Sequence, residues 1–139
     1  MMLKKLIFAI NPLSTDFGLL LLRLGTSGLM ITHGWGKIAN YSENLTKFAD
    51  PLGIGTQTSL VLAIFAEFFC SILLALGFFS RLALIPLIIT MVTAAFMVHG
   101  GNFSKQELPL LFLIAFLTLF FTGPGKYSLD AQVKPTKKY

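Results

Sequence analysis

Four long apolar stretches alternate with short segments of polar residues, glycine and proline along the chain. The stretches run from about 17 to 38, from 60 to 79, from 82 to 98 and from 108 to 122. A membrane-spanning helix needs about 17–25 mainly apolar residues, so each stretch predicts one span. The fourth is the shortest, and we expect it to include Glu107 and Gly123 at its ends. The pattern predicts an all-α integral membrane protein, a four-helix bundle of antiparallel spans in a single domain over residues 1–139.

The segments that flank the spans carry helix start signals. Asp16 precedes the first stretch and is a candidate N-cap. Ser104–Glu107 forms a capping-box pattern ahead of the fourth stretch, with Pro109 expected in the first turn. The first loop, about 39–59, is the longest, and we expect a short surface helix near 42–49.

The two chain ends are expected to lie outside the bundle. Residues 1–12 predict a short amphipathic lead on the membrane surface, because Asn11 and Pro12 stop an apolar run that is too short for a signal peptide. Residues 131–139 predict a polar, disordered tail.

Composition supports the membrane interpretation. Hydrophobic residues make up 55% of the chain and charged residues 12%, whereas soluble domains carry about 25% charged residues. The net charge is +5, but the lysines cluster at the chain ends, which suits anionic lipid headgroups better than nucleic acid. The single cysteine, Cys70, excludes an intramolecular disulfide and indicates a small core residue.

The positions of the basic residues predict the orientation. Cytoplasmic loops of membrane proteins carry an excess of lysine and arginine. One predicted side holds Lys4, Lys5, Arg81, Lys126, Lys134, Lys137 and Lys138, and the other holds Lys37, Lys47 and Lys105. We therefore expect a multi-pass protein of the bacterial inner (cytoplasmic) membrane with both termini in the cytoplasm.

Four ionisable residues lie inside the predicted spans or directly at the end of one, while Lys37 and Arg81 lie nearer the span ends. The four are Arg23 and His33 in the first, Glu67 in the second and His99 at the end of the third. Each costs at least about 2.5–3.5 kcal/mol to insert, so each needs either a partner or a function. Glu67 lies deepest. We expect an Arg23–Glu67 ion pair that joins the first two helices, with snorkelling of Arg23 to the headgroups as the alternative.

A polar pocket is the competing interpretation of the same residues. Thr26, Met30, His33 and Lys37 recur at helical spacing and would share one face opposite Glu67. Histidine and lysine would donate hydrogen bonds to a quinone carbonyl, and glutamate would pass protons. The candidate ligand-binding residues are His33, Lys37, Glu67 and His99.

Other chemistries have weaker support in the sequence. Two histidines on different spans allow a haem clamped between two imidazoles, but two isolated histidines are a weak signal and we do not expect haem. No dedicated metal site is expected, because carboxylates and cysteines are few.

Four segments together resemble a known family. They are LLLRLGTSGLMITHGWGK (20–37), AEFFCSILLALGFFSRLAL (66–84), MVTAAFMVHG (91–100) and TGPGKYSLDA (122–131). The chain resembles the DoxX family of small bacterial four-span membrane proteins. The family's recurring polar residues fall on Arg23, His33, Lys37, Glu67, Arg81, His99 and Asp130. The resemblance implies a redox context, since members are associated with quinol oxidase, with thiosulfate–quinone oxidoreductase and with complexes that handle oxidative stress.

The motif after the fourth stretch predicts a contact at the cytoplasmic end. Gly123-Pro124-Gly125 would stop the helix. Asp130 would then meet a cation on the same side, and Arg81 is the nearest by topology.

Two functions stay open: a redox-associated subunit that binds quinone or a small apolar ligand, or a non-enzymatic structural subunit or assembly factor. Either would have other membrane subunits or further copies of the chain as partners, and catalytic activity is left open.

Overall fold

The computed structural model describes residues 1–133, and every regular element in that part of the chain is helical. The helices are α1 Met2–Ile7, α2 Thr15–Ala39, α3 Tyr41–Lys47, α4 Thr56–Leu76, α5 Ser80–Val98, α6 Phe103–Thr122 and α7 Leu129–Val133. Most of the predicted tail, including Lys134, Lys137 and Lys138 of the orientation argument, lies outside the described residues.

Three helices are long and apolar enough to cross a membrane, namely α4, α5 and α6. Helix α2 has 25 residues, but Arg23, His33 and Lys37 interrupt its apolar surface, and it does not belong to this set. The predicted stretches all fall on these four helices. The second ends early, at Leu76, because Gly77 adopts a left-handed conformation with φ 66°.

The four long helices share one apolar core. Helix α6 packs mainly on α5, and α2 lies against α4 and α6. The fully buried large side chains of the core come from all four helices: Met30, Leu60, Leu74, Leu84, Leu87, Phe116 and Leu119.

Two predicted helix starts are wrong. Helix α2 begins after Ser14, whose Oγ accepts a hydrogen bond from Phe17 N at 3.2 Å. Ser14 and not Asp16 is therefore the N-cap, and Asp16 lies within the first turn. The short helix predicted near 42–49 is confirmed as α3.

Helix α6 begins earlier than the capping-box pattern predicted. Asn102 precedes it, and the carbonyl of Asn102 accepts hydrogen bonds from the N–H groups of Lys105 and Gln106. Ser104 Oγ donates to Asn102 Oδ1 at 2.9 Å. Ser104 is thus already helical, the predicted box does not form, and Pro109 lies beyond the first turn.

Two π-helical segments interrupt the α-helical geometry. Phe65–Cys70 lies within α4, and Thr93–Val98 forms the end of α5. Hydrogen bonds in a π-helix run from residue i to i+5, so the helix is locally wider, and such segments occur often at functional sites.

Candidate functional site

A cavity of about 260 Å³ lies between α4, the end of α5 and the loop after α3. Most of its lining is apolar. Its polar lining side chains are Lys37, Ser59, Glu67, Thr90, Thr93 and His99. A concave, mainly apolar site with a few polar groups is typical of small-molecule sites in proteins.

An ion pair between Lys37 and Glu67 forms the polar end of the cavity. Lys37 Nζ lies 2.8 Å from Glu67 Oε2 and 3.1 Å from Oε1, and the hydrogen bond runs to Oε1. The Glu67 side chain is 7% exposed and that of Lys37 24%. Both carboxylate oxygens therefore lie in contact with the Lys37 ammonium.

Gly34 determines how closely α2 approaches α4 beside this pair. A Cβ atom at Gly34 would lie 2.7 Å from Phe68 N and 2.8 Å from the carbonyl carbon of Glu67. No side chain fits there, so the two backbones touch at this point. Lys37, one helical turn further along α2, is thereby brought within reach of Glu67.

Both π-helical segments contribute to the cavity. Glu67 belongs to the first, and Thr93, Ala94 and Val98 belong to the second. The wider π-helix leaves carbonyl groups short of the usual partner, and Gln106 Nε2 donates to the carbonyl of Ala95 at 2.8 Å. A side chain of α6 thus stabilises the irregular end of α5.

The loop after α3 forms the roof of the cavity and is held by Asp50. The carboxylate of Asp50 accepts hydrogen bonds from Ile54 N at 3.0 Å, Gly55 N at 2.9 Å and Ser59 Oγ at 2.9 Å. Desolvation raises the pKa of Asp50, but these hydrogen bonds outweigh it and leave the pKa below its usual value. The apolar roof consists of Phe48, Ala49, Pro51, Leu52 and Ile54.

The structure brings three of the four candidate ligand-binding residues together. Lys37, Glu67 and His99 line the cavity, whereas His33 does not. His33 is exposed, and its ring meets the edge of Phe112 at a centroid distance of 5.9 Å. The two histidines therefore do not share the cavity.

The buried face of α2 matches the predicted one only in part. Its buried residues are Arg23, Ser27, Met30 and Gly34, whereas the prediction had placed Thr26, Met30, His33 and Lys37 on the pocket face. Met30 is common to both sets, and Ser27 and Gly34 each lie one residue beyond the predicted Thr26 and His33. The small residues Ser27 and Gly34, two turns apart, carried the signal for this face, because close helix packing requires small side chains.

Arg23 does not pair with Glu67, so that prediction is wrong. Its guanidinium donates to three backbone carbonyls, those of Ala75 at 3.3 Å, Pro124 at 2.6 Å and Tyr127 at 2.5 Å. The residue is 2% exposed. The physical reason is distance: Lys37, the true partner of Glu67, lies about 21 Å from Arg23 along α2 at 1.5 Å per residue.

The predicted Asp130–Arg81 pair is also wrong. Asp130 accepts hydrogen bonds from Phe79 N and Ser80 N, each at 2.9 Å, and so caps the start of α5. Arg81 Nε instead donates to the carbonyl of Phe120 at 3.0 Å. Backbone groups left free at a helix start are strong competitors for a carboxylate.

The cavity lining can bind and orient a polar group but offers no evident metal site. Across residues 1–133, no three His, Cys, Asp or Glu side chains gather in a way that would hold an ion. Lys37 supplies N–H donors, His99 can donate or accept, and Glu67 accepts. The arrangement suits a neutral molecule with an oxygen acceptor and an apolar body.

Comparisons with known proteins agree with this architecture. The DoxX family profile matches residues 18–100, which is more than half of the chain. The inner membrane protein YqjF of Escherichia coli (strain K12) is 35% identical over 122 residues, covering 83% of this chain and 91% of that protein. An uncharacterized protein of Haemophilus influenzae is 32% identical over 117 residues, covering 78% and 85%. No solved structure matches the chain. The helical membrane architecture and these matches together show that the chain belongs to the DoxX family.

Proposed function

We propose that the protein binds a quinone, or a small apolar molecule with a similar carbonyl group, in the cavity at Lys37, Glu67 and His99. The observation that carries this proposal is the buried Lys37–Glu67 pair at one end of a mainly apolar cavity. A buried ion pair is weak evidence for stability, because desolvation offsets most of the attraction. Its position in a cavity is better explained by ligand recognition.

The chemistry of the pair fits a carbonyl ligand. Lys37 Nζ has further N–H donors for a ligand oxygen while it keeps Glu67, and His99, which also lines the cavity, offers a second donor. The Glu67 carboxylate can accept a hydroxyl hydrogen bond from a reduced ligand in exchange for part of its contact with Lys37. The association with redox chemistry is part of this proposal, with electrons supplied by a partner protein.

Glutamine at position 67 tests this function. Glu67→Gln removes the charge with little change in shape and leaves Lys37 without its counter-ion, so we expect binding of a short-chain benzoquinone to weaken at least about tenfold, or 1.4 kcal/mol. Isothermal titration of the purified chain in detergent micelles, with empty micelles as blank, measures it. Glu43→Gln is the matched control, because Glu43 pairs with Lys47 on the exposed helix α3. Equal affinity in both variants would contradict the proposal.

The membrane topology belongs to the same proposal. We infer that α2 is a fourth span, that the four long helices form an antiparallel bundle in the bacterial inner membrane, and that both termini are cytoplasmic. The burial of Arg23 against three carbonyls supports the fourth span, since the charge needs no further partner. Arg81 and Lys126 both lie at the end of the molecule that holds Arg23, and Lys37 and Lys47 at the other end.

A structural role is the second candidate, and the inner end of the molecule favours it. There, Arg23, Asp16 and Asp130 are all engaged within the chain: Asp16 Oδ1 accepts from Lys126 N at 3.0 Å, and Asp130 caps α5. Polar groups that only hold helices together suit a subunit or assembly factor with membrane-protein partners or further copies of itself. Mild-detergent purification followed by native mass spectrometry distinguishes a retained quinone from a stoichiometric protein.

A further inference from the structure

A second concavity, an apolar groove of about 370 Å³, lies on the surface between α4 and α5. Its lining is hydrophobic throughout and includes no ionisable side chain other than the thiol of Cys70. The lining residues are Phe65, Phe69, Cys70, Leu73, Phe79, Leu82, Ala83, Ile85 and Pro86. Its floor is part of the shared core, because Cys70 and Ala83 are buried there, and its walls are more exposed side chains of α4 and α5.

The groove continues the cavity along the same helix faces. On α4, the cavity residue Leu62 is followed by the groove residues Phe65, Phe69 and Leu73 at steps of three, four and four. Phe65 and Phe69 belong to the π-helical segment, where the stacking of their rings shows that both lie on one side of α4. The stacked rings of Phe65 and Phe69, with centroids 5.4 Å apart, form one wall of the groove.

Helix α5 shows the same continuity. The groove residues Leu82 and Pro86 are followed by the cavity residues Ile89 and Thr93, at steps of four, three and four. At the junction, Leu62 and Ile89 line the cavity although they are 52% and 58% exposed. Part of the cavity wall on α4 and α5 therefore lies at the surface of the molecule.

We propose that the ligand is an amphiphile whose head occupies the Lys37–Glu67–His99 cavity and whose hydrocarbon tail lies in the groove between α4 and α5. This inference rests on the proposed function and adds the tail of the quinone as the occupant of the groove. From Leu62 to Leu73 the face extends about 16 Å at 1.5 Å per residue, about half of the ~30 Å hydrocarbon thickness. A polyprenyl or alkyl chain has the shape for such a groove.

The groove positions the tail and contributes little net hydrophobic energy. Lipid tails are as apolar as leucine, so transfer of a hydrocarbon chain from bilayer to groove gains mainly packing contacts. A side chain that blocks the groove would therefore displace the ligand tail. Because head and tail are covalently joined, the head would also move away from the Lys37–Glu67 pair. A ligand without a tail escapes this effect.

Ile85→Trp tests the groove. Ile85 lines it and is 46% exposed, so a larger side chain there fills the groove without entering the core. Ile114→Trp is the matched control: Ile114 is 63% exposed and lies on α6, away from the groove. The full-length variants are titrated in micelles with one benzoquinone ring in two forms, with a decyl chain and without it. Each ligand partitions into the micelles to the same extent for every variant. This partition therefore does not affect the ratio of the affinities of two variants for one ligand.

We expect Ile85→Trp to weaken binding of the decyl form about tenfold and that of the tailless form less than about twofold, with Ile114→Trp changing neither. If Ile85→Trp weakened binding of the decyl and tailless ligands equally, or if Ile85→Trp and Ile114→Trp had the same effect, the groove assignment would be overturned. The proposed head site would not be affected by that result. Failure of the parent chain to bind either form would overturn the proposed function as well. A phospholipid that co-purifies with the parent chain and is lost only in Ile85→Trp, with decyl binding unchanged, would assign the groove to an acyl chain and overturn the tail assignment.

Discussion

At the scale of single residues, Arg23 shows how backbone carbonyls accommodate a guanidinium inside an apolar protein. Its nitrogens donate to the carbonyls of Ala75, Pro124 and Tyr127, which lie at the end of α4 and in the segment after α6. Carbonyls at helix ends lack intrahelical partners, so Arg23 satisfies groups that would otherwise be left unpaired. One side chain thereby connects three segments of the chain.

Replacement of Arg23 by lysine tests this role. A single ammonium on a flexible stem cannot reach three carbonyls spread around a planar fork. We expect Arg23→Lys to lower the free energy of unfolding by about 1–3 kcal/mol, because buried carbonyls lose their donors. Arg81→Lys, in an exposed residue with one carbonyl partner, should change it by less than about 0.5 kcal/mol. Denaturant titration in micelles compares them, and similar effects of the two changes would refute the account.

The residues also show what sequence reasoning can reach. The sequence identified Lys37, Glu67 and His99 as candidates from their rarity in apolar stretches, and the structure gathers them around one cavity. The partner of Glu67 was mistaken because residue type alone does not give the register of α2 on α4. That register depends on a backbone contact at Gly34, which has no signature beyond a missing side chain.

At the scale of elements, the contact between α2 and α4 can be tested with two glycines two residues apart. Gly34→Ala would place a methyl group against the backbone of Phe68, which cannot yield. We expect a loss of about 1–3 kcal/mol and a weaker Lys37–Glu67 contact, because the helices must separate. At Gly36 a Cβ meets nothing within 4 Å, so Gly36→Ala should stabilise α2 by up to about 1 kcal/mol. Thermal unfolding of the two variants measures these effects. A shift of both unfolding midpoints in the same direction would contradict the close approach of α2 and α4 at Gly34.

The start of α5 depends on Asp130, which gives a pH dependence. Desolvation raises the pKa of Asp130, but hydrogen bonds from Ser80 and Phe79 and the charge of Arg23 outweigh it and lower the pKa. A lowered native pKa means that the stabilisation is present above the unfolded value of about 3.9 and is lost as the pH falls through the native value. Asp130→Asn should therefore be less stable than the parent chain at pH 6, with a difference that shrinks below about pH 4. A pH series of thermal midpoints measures it, and a difference that does not vary with pH would contradict it.

Element boundaries show the same limit of sequence reasoning. Apolar length located all four long helices, but helix starts depended on competition among several polar residues within a few positions. Ser14 Oγ accepts from Phe17 N and so caps α2 in place of Asp16, whereas α6 begins after Asn102 with only its backbone carbonyl as acceptor. Both π-helical segments were invisible in the apolar pattern, since the pattern has no separate period for them.

At the scale of the whole molecule, the proposed topology predicts which end of the bundle faces the cytoplasm. In a Cys70→Ala background, single cysteines at Lys47 and at Lys126, both on exposed surfaces, should react differently with a membrane-impermeant maleimide. We expect labelling of Lys47→Cys in intact cells whose outer membrane has been permeabilised, and labelling of Lys126→Cys only after lysis. Labelling of both cysteines in unlysed cells would place positions 47 and 126 on the same side of the membrane. That result would contradict the three spans, α4, α5 and α6, that the proposed topology places between them.

The π-helical segment around Glu67 has a consequence for how relatives of this chain vary. A π turn holds one residue more than the α turn it replaces, so deletion of a single residue between Phe65 and Cys70 would restore a regular α-helix. The parts of α4 on either side would keep their relative orientation, because the extra residue is removed together with the wider turn that accommodates it, and only side chains within the segment would change direction. A homologue with a one-residue gap here would keep its apolar profile and its overall helix length, yet its glutamate would point away from the lysine of the neighbouring helix. Conserved spacing across these six positions, more than conserved hydrophobicity, is then the feature by which a shared pocket can be recognised among distant sequences.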